Sequence, residues 1–350
     1  MPIIRIQNLA SASSIFNYYI GKYQEKYEIN AGDVLISWSA SLGVYKWEKE
    51  KALLNQHIFK VVFNKLKIEK DYFIYATRFL VNEMLEETHG STMQHITKKR
   101  FDNIQFPLPP FEVQRKIAQT LDAAAALLAL RKEQLAEMDN LIKSVFYEMF
   151  GDPVTNEKGW KKKHLGEVSC VKIGPFGSLL HREDYIKGGI PLINPSHIID
   201  GKICPDVNLT VREEMAQQLS QYRMDSKSVI LGRRGEIGRC AVVGEKEEGF
   251  LCGTGSLLIS SLRDLNPVFL FKLISTTQLK NELENVAQGV TMKNLNSKIV
   301  EKFEVPVPPL PLQTQFAEIV TKIEEQKALV QKAIDESQYL FDSLMNEYFN

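Results

Sequence analysis

The chain repeats itself. Residues 90–150 lie over residues 289–349 without a gap, an offset of 199 in a chain of 350. "GSTMQHITKKRFDNIQFPLPPFEVQ" faces "GVTMKNLNSKIVEKFEVPVPPLPLQ", so that Gly, Thr, Met, Pro-x-Pro-Pro and Gln coincide, and both blocks close on Glu-x-Phe. Most other positions exchange one apolar residue for another. Self-similarity at a fixed offset marks repeat architecture, and a unit of roughly 200 residues is too long for a solenoid turn. Two such copies suggest a pseudo-symmetric protein of two halves. Earlier anchors agree. "YEINAGDVLISWSASLG" from Tyr27 lies over "YRMDSKSVILGRRGEIG" from Tyr222, and "PIIRIQNL" from Pro2 over "PLINPSHI" from Pro191. The drifting offset places small insertions in loops. In the second copy residues 151–189 precede this last anchor, with no counterpart in the first, so the first unit reads as N-terminally abbreviated.

After each proline cluster the pattern becomes helical. Ile117, Leu121, Ala124, Leu128, Arg131, Leu135, Met138, Ile142, Val145 and Met149 alternate steps of four and three, with Arg131 the one violation. Phe316, Val320, Ile323, Lys327, Val330, Ile334, Ser337, Phe341, Leu344 and Tyr348 keep the same register. Such spacing over four heptads is a coiled-coil seam. Proline cannot continue a helix inward, so each helix starts just after its cluster. If a two-fold axis relates the copies, the helices pair antiparallel as a rigid spacer. Each is roughly 57 Å long at 1.5 Å per residue. The plainer reading packs each helix on its own domain.

Between the anchors the units read as mixed, giving an α+β chain. "DVLISW", "SVILG", "HIFKVVF", "GSLLIS" and "CAVVG" are strand-like, and helices are expected at 71–87 and 267–284. The boundaries follow: a first unit at 1–110, a first long helix at 111–150, a second unit at 151–309 and a second long helix at 310–350. Outside the anchors the two units differ, which suits one scaffold with two recognition surfaces.

Charge enters here. With 43 basic and 43 acidic residues the net charge is zero, so a polyanion partner requires a local basic surface. The cysteines Cys170, Cys204, Cys240 and Cys252 form no C-x-x-C pair and read as free thiols of a reducing compartment. There is no secretory signal pattern at the N-terminus, and no apolar run suits a membrane span, so the expectation is a cytoplasmic chain. Catalytic motifs are wanting. "GRRGEIG" at 232–238 has neither the dinucleotide glycines nor the P-loop lysine. "NPSH" at 194–197 departs at two of four positions from the Asn-Pro-Pro-aromatic motif of amino-methyltransferases. His57, His89, His95, His164, His181 and His197 show no ligand spacing, and there is no G-x-S-x-G elbow.

Taken with the paired "GSTM…FPLPPFEVQ" and "GVTM…VPVPPLPLQ" blocks, this arrangement resembles the specificity subunit of type I restriction–modification systems, over nearly the whole chain. The resemblance implies two target recognition domains that each read half of a split double-stranded DNA site. It implies helices that form an antiparallel coiled coil and set the gap. It also implies two methylation subunits docked on those helices and restriction subunits that join them. S-adenosylmethionine, ATP and Mg would belong to those partners, with no cofactor and no metal on this non-catalytic chain and no membrane association. The competing class is a non-catalytic protein–protein scaffold on a coiled coil.

Base edges are read by polar side chains, and phosphates are met by Lys and Arg. The expected base contacts are Asn194, Ser196, His197, Arg233 and Arg234, with Arg5, Gln7, Asn8, Ser37, Trp38 and Ser39 in the first unit. Expected phosphate contacts are Lys98, Lys99, Arg100, Lys161, Lys162 and Lys163.

Overall fold

A computed structural model of the chain describes every residue except 11–14, 38–42, 87–102, 176–178 and 288–293. Two compact units emerge: Met1–Gln134 with Val330–Asn350, and Leu135–Leu329. Each takes in part of both long helices, Phe111–Phe150 and Leu310–Phe349, of 40 residues apiece.

In the first unit β1 (Pro2–Ile4), β2 (Asn17–Tyr18), β3 (Glu28–Ile29), β4 (Val34–Ser37), β5 (Gly43–Lys46), β6 (Ala52–Leu54) and β7 (Ile58–Lys60) form two sheets. Their orders are β2-β1-β6-β3 and β5-β4-β7, and β1–β6 is a parallel pair in an otherwise antiparallel arrangement. Apolar Ile4, Ile29, Leu35, Trp47, Ala52 and Ile58 make the core between them. The helix expected at 71–87 occupies Lys70–Glu86.

The second unit repeats this plan with additions. Its strands are β8 (Lys162–His164), β9 (Cys170–Ile173), β10 (Tyr185–Ile186), β11 (Ile190–Ile193), β12 (Ile198–Ile199), β13 (Lys202–Ile203), β14 (Thr210–Val211), β15 (Val229–Gly232), β16 (Cys240–Val242), β17 (Leu251–Cys252), β18 (Ser256–Ser260) and β19 (Glu304–Pro306). The parallel pair recurs as β11–β17, and β5-β4-β7 recurs as β16-β15-β18, now extended by β9. β8 pairs with β19. The single helix expected at 267–284 is two, Pro267–Ile274 and Thr277–Val286. The break follows from local chemistry. The Ser275 hydroxyl donates back to Phe271 O (2.7 Å), and Thr276 leaves helical geometry to accept the Leu279 N–H (3.4 Å) as an N-cap.

All twenty seam positions are buried or half-buried. Within the first unit the start of the first long helix packs on the end of the second: Ile117, Ala118 and Leu121 share a cluster with Phe341, Leu344 and Phe349. Within the second unit Phe146 and Phe150 lie 5.6 and 5.3 Å from Phe316, ring to ring. Partners rise along one helix as they fall along the other, so the pair is antiparallel. Polar residues in the stripe are matched. The Arg131 guanidinium donates to Ala333 O and Ser337 Oγ, and Lys327 reaches Asp139 at 2.6 Å and Glu324 at 3.2 Å.

The duplicated glutamine explains the duplicated joint. Gln114 accepts the Glu69 N–H (3.0 Å) and donates to Pro109 O (2.7 Å). Gln313 accepts the Asn266 N–H (2.8 Å) and donates to Pro308 O (2.7 Å) and Asp264 O (2.9 Å). Both are buried. Each ties the proline segment and its long helix to the start of its unit's own helix. A buried amide with its bonds made tolerates no apolar substitute.

Candidate nucleic-acid interface

Three segments of the second unit converge on one surface. At the end of β11, Asn194 turns the chain into a single 3₁₀ turn, Pro195–His197. The buried His197 ring holds that turn, its Nδ1 lying 3.0 Å from Leu192 O and 3.3 Å from the Asn194 amide. The loop before β18 is joined to it. Gly253 N–H and Ser256 Oγ donate to Ile193 O (both 2.9 Å), and Gly255 N–H donates to Asn194 Oδ1 (3.2 Å). A Cβ on Gly253 would stand 2.4 Å from that Oδ1, so the approach requires glycine.

The third segment is the hairpin between β15 and β16. Arg233 is buried. Its Nε donates to Asn294 Oδ1 (2.9 Å), and its backbone bonds to Gly255 O and Leu295 N. Burial first, then the neighbouring Arg234, pull its guanidinium below the usual arginine range. Arg234, Gly235 and Glu236 form the exposed tip, with Gly235 at φ +74°. Arg239 folds back to pair with Glu236 and to donate to Pro195 O (3.3 Å), which fastens the hairpin to the 195–197 turn. A cavity of about 350 Å³ alongside is lined by Asp200, Glu236, Arg239 and Lys280, with Cys240 and Phe271 beneath. Burial pushes the Cys240 thiol up to about 11 and the Cys252 thiol up to about 12, so both stay neutral near pH 7 and are poor nucleophiles. The surface offers donors and acceptors of both charges, suited to reading an edge.

The expected contacts sort accordingly. Arg234 and Ser196 are exposed at this surface and Asn194 is half-buried in it. Arg233 and His197 are corrections: both are buried and shape the surface from below. In the first unit Arg5 and Gln7 are exposed on the equivalent turn. Asn8 is another correction. It is buried, accepts the Arg5 N–H (2.9 Å) and donates to Ile15 O (3.3 Å), so it locks the turn as His197 does in the second copy. Ser37 is fully buried within β4 and is likewise not presented. Trp38, Ser39, Lys98, Lys99 and Arg100 lie outside the described residues.

Lys162 and Lys163 belong to β8, Lys161 immediately precedes it, and none of the three joins the three segments. Lys161 is exposed, Lys162 donates to Val154 O (3.2 Å), and Lys163 pairs with Asp264 (2.9 Å), which holds that carboxyl below the usual range. Sequence reasoning missed Arg239 and Lys280. Arg239 sits one residue past "GRRGEIG", where a return strand had to fasten the hairpin. No pattern distinguishes Lys280.

Residues 1–140 and 157–337 match the family model of the type I restriction modification DNA specificity domain. This chain belongs to that family. Among similar members, the EcoBI specificity subunit of Escherichia coli is 22% identical over 93% of this chain and 73% of its own length. The MjaVIII specificity subunit of Methanocaldococcus jannaschii is 23% identical over 91% and 78%. Two solved structures share the fold of this family member. One is a chain from a type I restriction–modification system studied for its assembly and conformational transition (TM-score 0.59, 17% identity, 92% of this chain and 83% of that one). The other is the S subunit from M. genitalium (TM-score 0.56, 15% identity, 100% and 92%). Among the described residues no helix of this specificity chain is long and apolar enough to cross a membrane.

Proposed function

We propose that this chain is the DNA-reading subunit of a type I restriction–modification complex and directs it to a bipartite, asymmetric site. The observation that carries the reading is one scaffold present twice, with the same parallel pair and the same locked turn, and different side chains at its tip. Arg234 and Ser196 stand at the surface in the second unit, Arg5 and Gln7 in the first. Dissimilar readers call for dissimilar half-sites. The chain itself contributes no reacting group. S-adenosylmethionine, ATP and Mg act on the partner subunits.

The long helices set the spacer and carry two methylation subunits, to which restriction subunits add. Support for the number two comes from leucines that a coiled-coil seam leaves out. Leu130 and Leu329 occupy equivalent positions, as do Leu141 and Leu340, and all four are about half exposed or more. Eleven residues is about three helical turns, so the leucines of each helix share a face. The same apolar patch written once per repeat fits two copies of one partner.

The test is to express the chain with its methylation subunit in a host lacking other methylases and to map modified adenines. Two different half-sites at a fixed spacing are expected. Modification at the same sites without this chain would overturn the reading.

A further inference from the structure

Lys280 stands on the helix Thr277–Val286, in the wall of the cavity beside the reading hairpin. Its stem is held in place. Gly238, at φ +83°, is glycine because the turn demands it, and it leaves bare backbone against which the lysine stem lies. A Cβ built on Gly238 would stand 2.7 Å from Lys280 Cγ and 3.5 Å from its Cβ and Cδ. The side chain is half-buried, as long cations are when their methylenes cover a surface and the ammonium stays in water.

The charge at the end of that stem is not used inside the fold. Glu236 lines the same cavity but is taken by Arg239, and Arg239 chiefly, with Lys280 to a lesser degree, holds its carboxyl below the usual range. Among the described residues neither Glu236 nor the exposed Asp200 forms an ion pair with Lys280. Residues 176–178 and 288–293 of the second unit contain no Asp or Glu that could do so. The internal repeat sharpens the point. Glu69 lies over Asn266 as partner of the joint glutamine, and Tyr72 over Phe269 as partner of the phenylalanine that ends a long helix. In that register Lys280 falls on Glu83, an exposed acid. The shared scaffold works with either charge here, so the lysine belongs to what distinguishes the second unit.

We propose that Lys280 contacts a backbone phosphate of the duplex beside the half-site that the second unit reads, an inference that rests on the DNA-reading assignment. Arg234 at the hairpin tip and Ser196 on the turn are the groups presented to base edges. A hairpin that enters a groove brings the sugar–phosphate backbone against its flank, and Lys280 lies on that flank, against Gly238. A compact ammonium on a flexible stem meets a phosphate as a point charge. Such a contact carries no sequence information. It fixes the register in which Arg234 meets its base pair.

The test is a salt titration of DNA binding by the chain assembled with its methylation subunit, on the cognate duplex and on a scrambled one. The unaltered chain is compared with Lys280→Gln and Lys280→Arg. Lys280→Gln should weaken binding to both duplexes alike, by about eightfold near 0.1 M salt, and lower the slope of log affinity against log salt by about one. Lys280→Arg should keep both, because it keeps the charge. A single neutral methylphosphonate, moved along the cognate duplex, should find one position that weakens the unaltered chain and adds nothing to Lys280→Gln. An unchanged slope in Lys280→Gln, or a loss confined to one base pair of the cognate duplex, would overturn the proposal and leave the DNA-reading assignment standing. Absence of salt-dependent binding by the unaltered complex would sink that assignment, and the proposal with it.

Discussion

Two adjacent arginines, Arg233 and Arg234, carry different tasks because the backbone turns between them. Arg233 points inward to Asn294, and Arg234 stands at the tip. Arg234→Ala should weaken cognate DNA binding by about 1–3 kcal/mol and relax preference at one base pair. Arg233→Ala should instead lower stability by roughly 1–3 kcal/mol, since it leaves Asn294 unsatisfied. Fluorescence anisotropy on cognate and scrambled duplexes, with thermal melts of both variants, separates the two effects. The joint glutamines make a second residue-scale case. Gln313→Ala orphans the Asn266 N–H and the Pro308 carbonyl, and Gln114→Ala does the same to Glu69 and Pro109. Each should cost about 1–3 kcal/mol in denaturant titration, and Gln→Glu should not rescue, because a carboxylate cannot donate to the proline carbonyl.

At the scale of elements, the helix pair shows why the seam tolerates charge. Arg131 and Lys327 occupy inward positions, yet each finds acceptors on the facing helix. A polar residue matched across a seam fixes register, because any slip leaves it unpaired. Removing seven residues from both helices keeps the stripe in phase while shortening the pair by about 10 Å at 1.5 Å per residue. The preferred spacer between half-sites should then shorten by about three base pairs, given one charge pair per ~3.4 Å per strand of duplex. Selection from a library of randomised spacers reads this directly. An unchanged preference would remove the ruler role.

The whole molecule is organised by its duplication. Equivalent residues do equivalent work: Asn8 and His197 lock the turn, Gln114 and Gln313 lock the joint. Phe349 and Phe150 each cap a helix end on the aromatic of a neighbouring helix, Tyr72 at 5.5 Å and Phe269 at 4.7 Å. The exposed leucines follow the same rule, which makes partner stoichiometry predictable. Leu130→Glu with Leu141→Glu removes both exposed leucines of the first long helix. This pair should reduce bound methylation subunits from two to one, measured by native mass spectrometry. Adding Leu329→Glu and Leu340→Glu should abolish docking while leaving the melting temperature of the isolated chain nearly unchanged, because exposed leucines contribute little to folding.

The duplicated blocks, the three-and-four spacing and the proline clusters were enough to define two mixed units and two long helices. Those features depend on local backbone rules and on periodicity, which a linear chain displays openly. The strands at "DVLIS", "SVILG" and "SLLIS" were legible for the same reason. The site was legible only in outline. The pattern located the turn and the hairpin but did not separate Arg234 from Arg233, or the exposed Gln7 from the buried Asn8, because adjacent residues of one polarity differ only in which side of a turn they face. Whether Asn8 reads a base or holds a backbone amide depends on Arg5 and Ile15 closing around it. The break at Ser275 and Thr276 depended on hydroxyls choosing backbone partners.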